Sequence, residues 1–237
     1  MMKNRIISVL SACILFLGVT AMNAQAAENA LSAKEQSLVS ISALAGKGDL
    51  PNLEKALEKG LENGLTVNEI KELLAQVYAY AGFPRSLNGL QTFSALLDKR
   101  KAAGMNDVMG KEASPMPTDK TSLEFGTENQ TNLFNREVKG GLYDFSPLID
   151  YCLKAHLFGD LFQRDVLTWK DRELITVGIL AGIDNVNPQL QGHLATCYNN
   201  SGWTKEQLFQ YVEVIRENLG DATAKNVQGL VEKVVQK

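Results

Sequence analysis

Basic residues are in short supply, histidine appears twice and cysteine three times in 237 residues, and each shortage removes a class of explanation. With 24 Lys and Arg against 27 Asp and Glu, the formal net charge is -3. A phosphate backbone needs a basic surface to neutralise it, so nucleic acid is excluded as the main partner. Runs of alternating β-branched residues bounded by hairpin signals are missing too, which argues against a sheet. Disorder is excluded from the other side: 45% hydrophobic and 22% charged residues suffice to bury a real core as one large domain or two small ones.

The leading apolar run is short for a membrane span. It follows Lys3 and Arg5 and ends in Ala24-Gln25-Ala26, the layout of an export signal. Residues 1–26 are therefore expected to be removed, leaving a periplasmic or secreted protein that begins at Ala27 and keeps no membrane contact. Leu10-Ser11-Ala12-Cys13 has the look of a lipoprotein cleavage box, but it strands "ILFLGV" after the cysteine, where polar residues are usual. Cleavage after Ala26 leaves Cys152 and Cys197 in a compartment where a disulfide can persist. An even pair permits a bond without establishing one.

What is present is a repeat. "LSAKEQSLVSISALAG" (Leu31 to Gly46) aligns without gaps on "LTWKDRELITVGILAG" (Leu167 to Gly182). Each copy opens with a capping box, Ser32 with Glu35 and Thr168 with Asp171, in which a hydroxyl and an acid three residues later satisfy the free amides of a helix start. The helices that follow close on glycine and lead into further boxes, Thr66 with Glu69 and Thr204 with Gln207. Helical apolar spacing recurs in "IKELLAQVYAYAG" and "LFQYVEVIRENLG". The expectation is an all-α fold of two tandem helical repeats, at 27–103 and 136–237, joined by a linker over 104–135 that is rich in Gly, Pro, Ser, Thr and Asn.

Between Arg172 and Cys197 a nearly unbroken apolar run carries an acid at its start and a histidine and cysteine four residues apart at its end. Glu173 has two readings: an acid near the positive end of the helix dipole, facing water, or a carboxylate on a partly apolar face whose proton affinity desolvation raises. After a turn, Asn187 suits an N-cap and Pro188 the first helical position. Leu190, Leu194 and Cys197 then form one stripe, with His193 on its edge. A cysteine in such a stripe is a small core residue or a thiol that His193 activates. His193 itself exchanges protons near neutrality. With the leucines of the two copies matched, Ser37 replaces Glu173, Ala56 replaces His193 and Gly60 replaces Cys197, so the scaffold does not require the three groups.

These residues resemble the carboxymuconolactone decarboxylase and alkyl hydroperoxidase D-like family. "AYAGFPRSLNGL" (Ala79 to Leu90) is similar to its helix-ending signature, "RELITVGILAG" with "QLQGHL" to its acid-bearing and histidine helices, and "HLFGDLFQRDVLTWKDREL", from His156, to the leading segment of tandem members. The resemblance implies an all-helical oligomer with cofactor-free sites, in which Glu173 and His193 take the acid and histidine positions. The redox members' Cys-x-x-Cys pair would fall near Val186 and Gln189, which carry no thiol. His156 is either structural or an assistant to the site. Asp160, Arg164 and Asp165 fit ion pairs or caps, and Arg85 fits a surface position or a hold on a substrate carboxylate.

The leading expectation is acid/base chemistry on a small carboxylated or lactone-like compound, with His193, Glu173 and His156 taking part. The alternatives are a thiol peroxidase or reductase of peroxiredoxin-type activity using Cys197, resolved by Cys152, and a non-catalytic helical binding or scaffold protein. A small-molecule substrate and self-association into a homo-oligomer are expected.

Overall fold

The computed structural model describes residues 30–236. The expected export signal, Cys13 and the cut before Ala27 lie outside the described residues. No strand occurs among the described residues, and no helix among them is long and apolar enough to cross a membrane.

A first group comprises α1 (Ala33–Lys47), α2 (Leu50–Glu62) and the long α3 (Val67–Ala102). A middle group holds α4 (Ser122–Phe134), the short α5 (Leu142–Phe145) and α6 (Pro147–Tyr151), and a π-helix over Cys152–Leu161. The last group comprises α7 (Trp169–Ile183), α8 (Asn187–Asn200), α9 (Lys205–Leu219) and α10 (Asp221–Val235). All four capping boxes read from the sequence close their helices in both directions. A fifth, Thr121 with Glu124, starts α4. The stretch 104–135 is therefore not only a linker. Its polar composition hides a helix whose buried Phe125 and Leu133 need cover.

The first and last groups follow one pattern. Inside α3 the chain turns at Gly82 (φ 80, ψ 162), and α9 gives way to α10 at Gly220 (φ 88, ψ 171). Both glycines follow their capping threonine at the same distance, and both adopt a backbone that side-chain-bearing residues avoid. α3 is thus two helices read as one, matching α9 and α10.

The two groups meet along α1 and α7, whose apolar side chains form the middle of one core cluster that runs through both groups. Each fully buried Leu or Ile there is worth about 1.5–3 kcal/mol relative to exposure. The helices touch backbone to backbone. A Cβ on Gly46 would lie 2.7 Å from the Ile179 carbonyl oxygen, and one on Gly182 would come closer still to that of Ala43. Ile179 and Ala43 are partners in the gap-free alignment, as are Gly46 and Gly182. Gly178 faces its own counterpart, Ser42. The contact is reciprocal, the signature of a twofold relation between the groups.

A second cluster, Leu133, Leu157, Phe158 and Phe162, lies between α4 and the π-helix. These two elements also approach at glycines, Gly126 against the Lys154 carbonyl and Gly159 against that of Ser122. Arg172, fully buried, ties this layer to the core by donating to the Glu72 carboxylate, to Gln76 Oε1 and to the Arg164 carbonyl.

Candidate active site

α7 and α8 bring Glu173 and His193 together. Glu173 has 0% exposure. Its place in the sequence allowed a water-facing acid, but that role falls to Asp171, the capping acid of the first turn. Glu173 instead turns inward, where its Oε2 lies 2.8 Å from His193 Nδ1. A carboxylate only accepts, so Nδ1 carries the proton and Nε2 is left as the exchanging nitrogen. Nε2 has no hydrogen-bond partner among the described residues, and the His193 side chain keeps 14% exposure. Glu173 Oε1 is buried without a hydrogen-bond partner among the described residues. Leaving such an atom unpaired is costly.

Two aromatic rings wall the imidazole. Tyr80, from α3, meets it edge-on at 6.1 Å between centroids, and Phe134, the last residue of α4, at 5.9 Å. Thr176 Oγ1 donates to Tyr80 Oη at 3.1 Å and accepts from Gln76 Nε2. Burial first, and the Glu173 charge next, raise the Tyr80 phenol, which therefore stays protonated. Asn200 Nδ2 donates to the Leu133 carbonyl at 2.8 Å and so holds the end of α4 over the site. Tyr80 was visible in the sequence only as a letter of the "AYAGFPRSLNGL" signature. Phe134 had no signal, since it lies in the stretch read as a linker.

The other candidates are placed elsewhere or differently. Cys197 is fully buried one turn beyond His193, and burial, followed by the Glu173 charge, pushes its thiol well above the ordinary range. His193 spends its Nδ1 on Glu173, not on sulfur. A thiolate nucleophile at Cys197 is thus disfavoured twice over. Cys152 is exposed at the start of the π-helix, and neither cysteine is joined in a disulfide among the described residues. His156 does not join the site. Its side chain is 51% exposed, Nδ1 lies 2.9 Å from Asp160 Oδ2, and Nε2 meets the Tyr78 hydroxyl. With both ring nitrogens engaged, no nitrogen is free to assist. Asp160 also accepts from Ser122, Arg164 pairs with Glu72, and Asp165 with Ser114 and Lys111, all structural links. Arg85 is exposed and its guanidinium lies over Gly48, at the end of α1.

Among the described residues no cluster of three or more His, Cys, Asp or Glu is arranged to hold a metal ion.

Residues 15–95 match the model of the carboxymuconolactone decarboxylase family. Peroxisomal protein 2 of Saccharomyces cerevisiae is 26% identical over 153 residues, which cover 55% of this chain and 54% of the yeast protein. The chain thus spans about half the length of that relative. The family match falls on α1, α2 and most of α3, outside Glu173 and His193. The all-helical fold, with Gly82 inside the matched residues and the same backbone turn repeated at Gly220, agrees with it. Over residues 15–95 the chain is therefore similar to the carboxymuconolactone decarboxylase family.

Proposed function

We propose that the protein is an enzyme that moves protons to or from a small carboxylated or lactone-like compound, with His193 as the acid/base and Glu173 as the group that orients it. One observation carries the reading: a fully buried carboxylate that holds Nδ1 of a histidine while Nε2 stays free. This is the arrangement by which an acid fixes the tautomer of a catalytic imidazole and stabilises its charged form.

In a decarboxylation the bond from carbon to the leaving carboxylate breaks, CO₂ departs, and the electron pair stays on the substrate as an enolate or its equivalent. His193, protonated at Nε2 and steadied by Glu173, returns a proton to that carbon and is recharged from water. Tyr80, held protonated, is an available donor to a developing oxyanion. Such proton transfer is worth roughly 10² to 10⁴-fold.

The same proposal takes the chain as two tandem repeats, the second carrying the chemistry, exported after loss of residues 1–26 and associated into a homo-oligomer. The exposed apolar side chains of Leu142, Phe145, Leu148 and Ile149 are a face that self-association would cover. The test is a turnover screen on unsaturated lactone carboxylates with CO₂ release as readout, comparing wild type with Glu173→Gln. Release that is equal in the two proteins removes the proton-transfer assignment.

A further inference from the structure

The counterpart of the Glu173–His193 site in the first group is open. Ser37 stands for Glu173, and Ala56, in place of His193, leaves room where the imidazole would be. Asn218 stands for Tyr80 and Ser40 for Thr176, and the match is structural: Asn218 Nδ2 lies 3.1 Å from Ser40 Oγ, as Tyr80 Oη lies 3.1 Å from Thr176 Oγ1. These residues line a cavity of about 520 Å³ between α1, α2 and the end of α9. That volume suits a small molecule. Among the described residues nothing covers it as α4 and Phe134 cover the other site.

The polar groups of the cavity are committed in a one-sided way. Asn63 Nδ2 donates to Ser37 Oγ (2.9 Å), and Asn218 Nδ2 donates to Ser40 Oγ and to the Val214 carbonyl. The serine hydroxyls donate in turn to the Ala33 and Gln36 carbonyls of their own helix. The donors of the floor are spent, and the Oδ1 atoms of both asparagines accept nothing among the described residues. On the rim, Lys55 and Lys59 stand one turn apart on α2, opposed by the single carboxylate of Glu217. A ligand that fits this pattern brings negative charge for the two ammonium groups and hydroxyl donors for the amide oxygens and Glu217.

We infer that the first group holds a binding site for a small polyhydroxy carboxylate. With Ser37 and Ala56 in place of the acid and the histidine, the site holds its ligand without acting on it. The inference stands apart from the reaction proposed for His193.

The test is titration of the purified protein with gluconate, and separately with hexanoate, a carboxylate of similar length without hydroxyls, followed by backbone amide resonances. Gluconate is expected to shift residues of α1, α2 and the end of α9 saturably, and hexanoate is not. Lys55→Gln with Lys59→Gln should weaken gluconate about tenfold, as loss of a charged hydrogen bond implies, and Ala56→Phe should block it by filling the space. Glu173→Gln should leave gluconate binding unchanged. Absence of saturable shifts, shifts centred on α7 and α8, equal binding of hexanoate, or unchanged affinity in the lysine variant would each overturn the inference. Both lysines are exposed, so that variant decides the matter even if Ala56→Phe folds poorly.

Discussion

The two helical groups follow a similar order of helices and differ in what they bury. In the second, α7 and α8 enclose a carboxyl group with one oxygen unpartnered among the described residues; in the first, the same two positions hold Ser37 and Ala56, and the hydroxyl bonds to its own helix. The first group has the fold without the cost, which shows that the cost is not part of folding. Burying an ionised group without full compensation is unfavourable, and strain of this kind tends to mark function.

The largest effect expected from breaking this difference comes with His193→Ala. It should lower turnover by about 10² to 10⁴-fold, and by stranding Glu173 it should also lower stability by about 3 kcal/mol, read from urea unfolding. Glu173→Gln comes next and separates the two effects. Gln keeps an acceptor for Nδ1 but not the charge, so turnover should fall by about 10² or more while the melting temperature holds or rises. A fall in both would make Glu173 a structural ion and the comparison empty. Third, Gly182→Ala and Gly46→Ala should each cost about 1–3 kcal/mol, since a Cβ at either enters a backbone contact. Similar losses support the twofold seam, and a large loss at only one of them breaks it. Cys197→Ser is smaller: about 1 kcal/mol for a buried hydroxyl in place of sulfur, with activity kept. The same logic leaves Cys197 unlabelled by maleimide in the native protein while Cys152 reacts, as peptide mapping by mass would report. Ala56→His should change stability by about 0.5 kcal/mol or less and confer no activity, because Ser37 offers no charge to orient the ring.

Much of this was legible in the letters. The capping boxes at Ser32, Thr66, Thr168 and Thr204 fix helix starts by local chemistry, and local chemistry is what a sequence displays. Glu173 and His193 were legible as a pair because the sibling copy lacks both. What was not legible depends on distant segments. α4 was passed over because its Thr121 and Glu124 box sits in a polar stretch whose purpose, closing over α8 through Leu133 and Phe134, exists only in three dimensions. His156 is a candidate in the sequence because it opens the segment that resembles the leading segment of tandem family members. The segment winds as a π-helix, and His156 pairs with Tyr78 from α3, a partner no spacing rule connects to it.

The glycine seam between α1 and α7 bears on how the chain reaches its native state. The helices that must touch there, Ala33–Lys47 and Trp169–Ile183, lie far apart in the sequence, so the entropy of closing a long loop is lost before the contact returns anything. Helical proteins usually fold quickly through neighbouring contacts; this one is expected to wait for a distant encounter, with each half holding helices whose inner faces are still wet. The face is also its own complement, so during that wait a half can find the matching half of another molecule as readily as its own. Refolding yield should therefore fall as concentration rises, with exchanged dimers as the product.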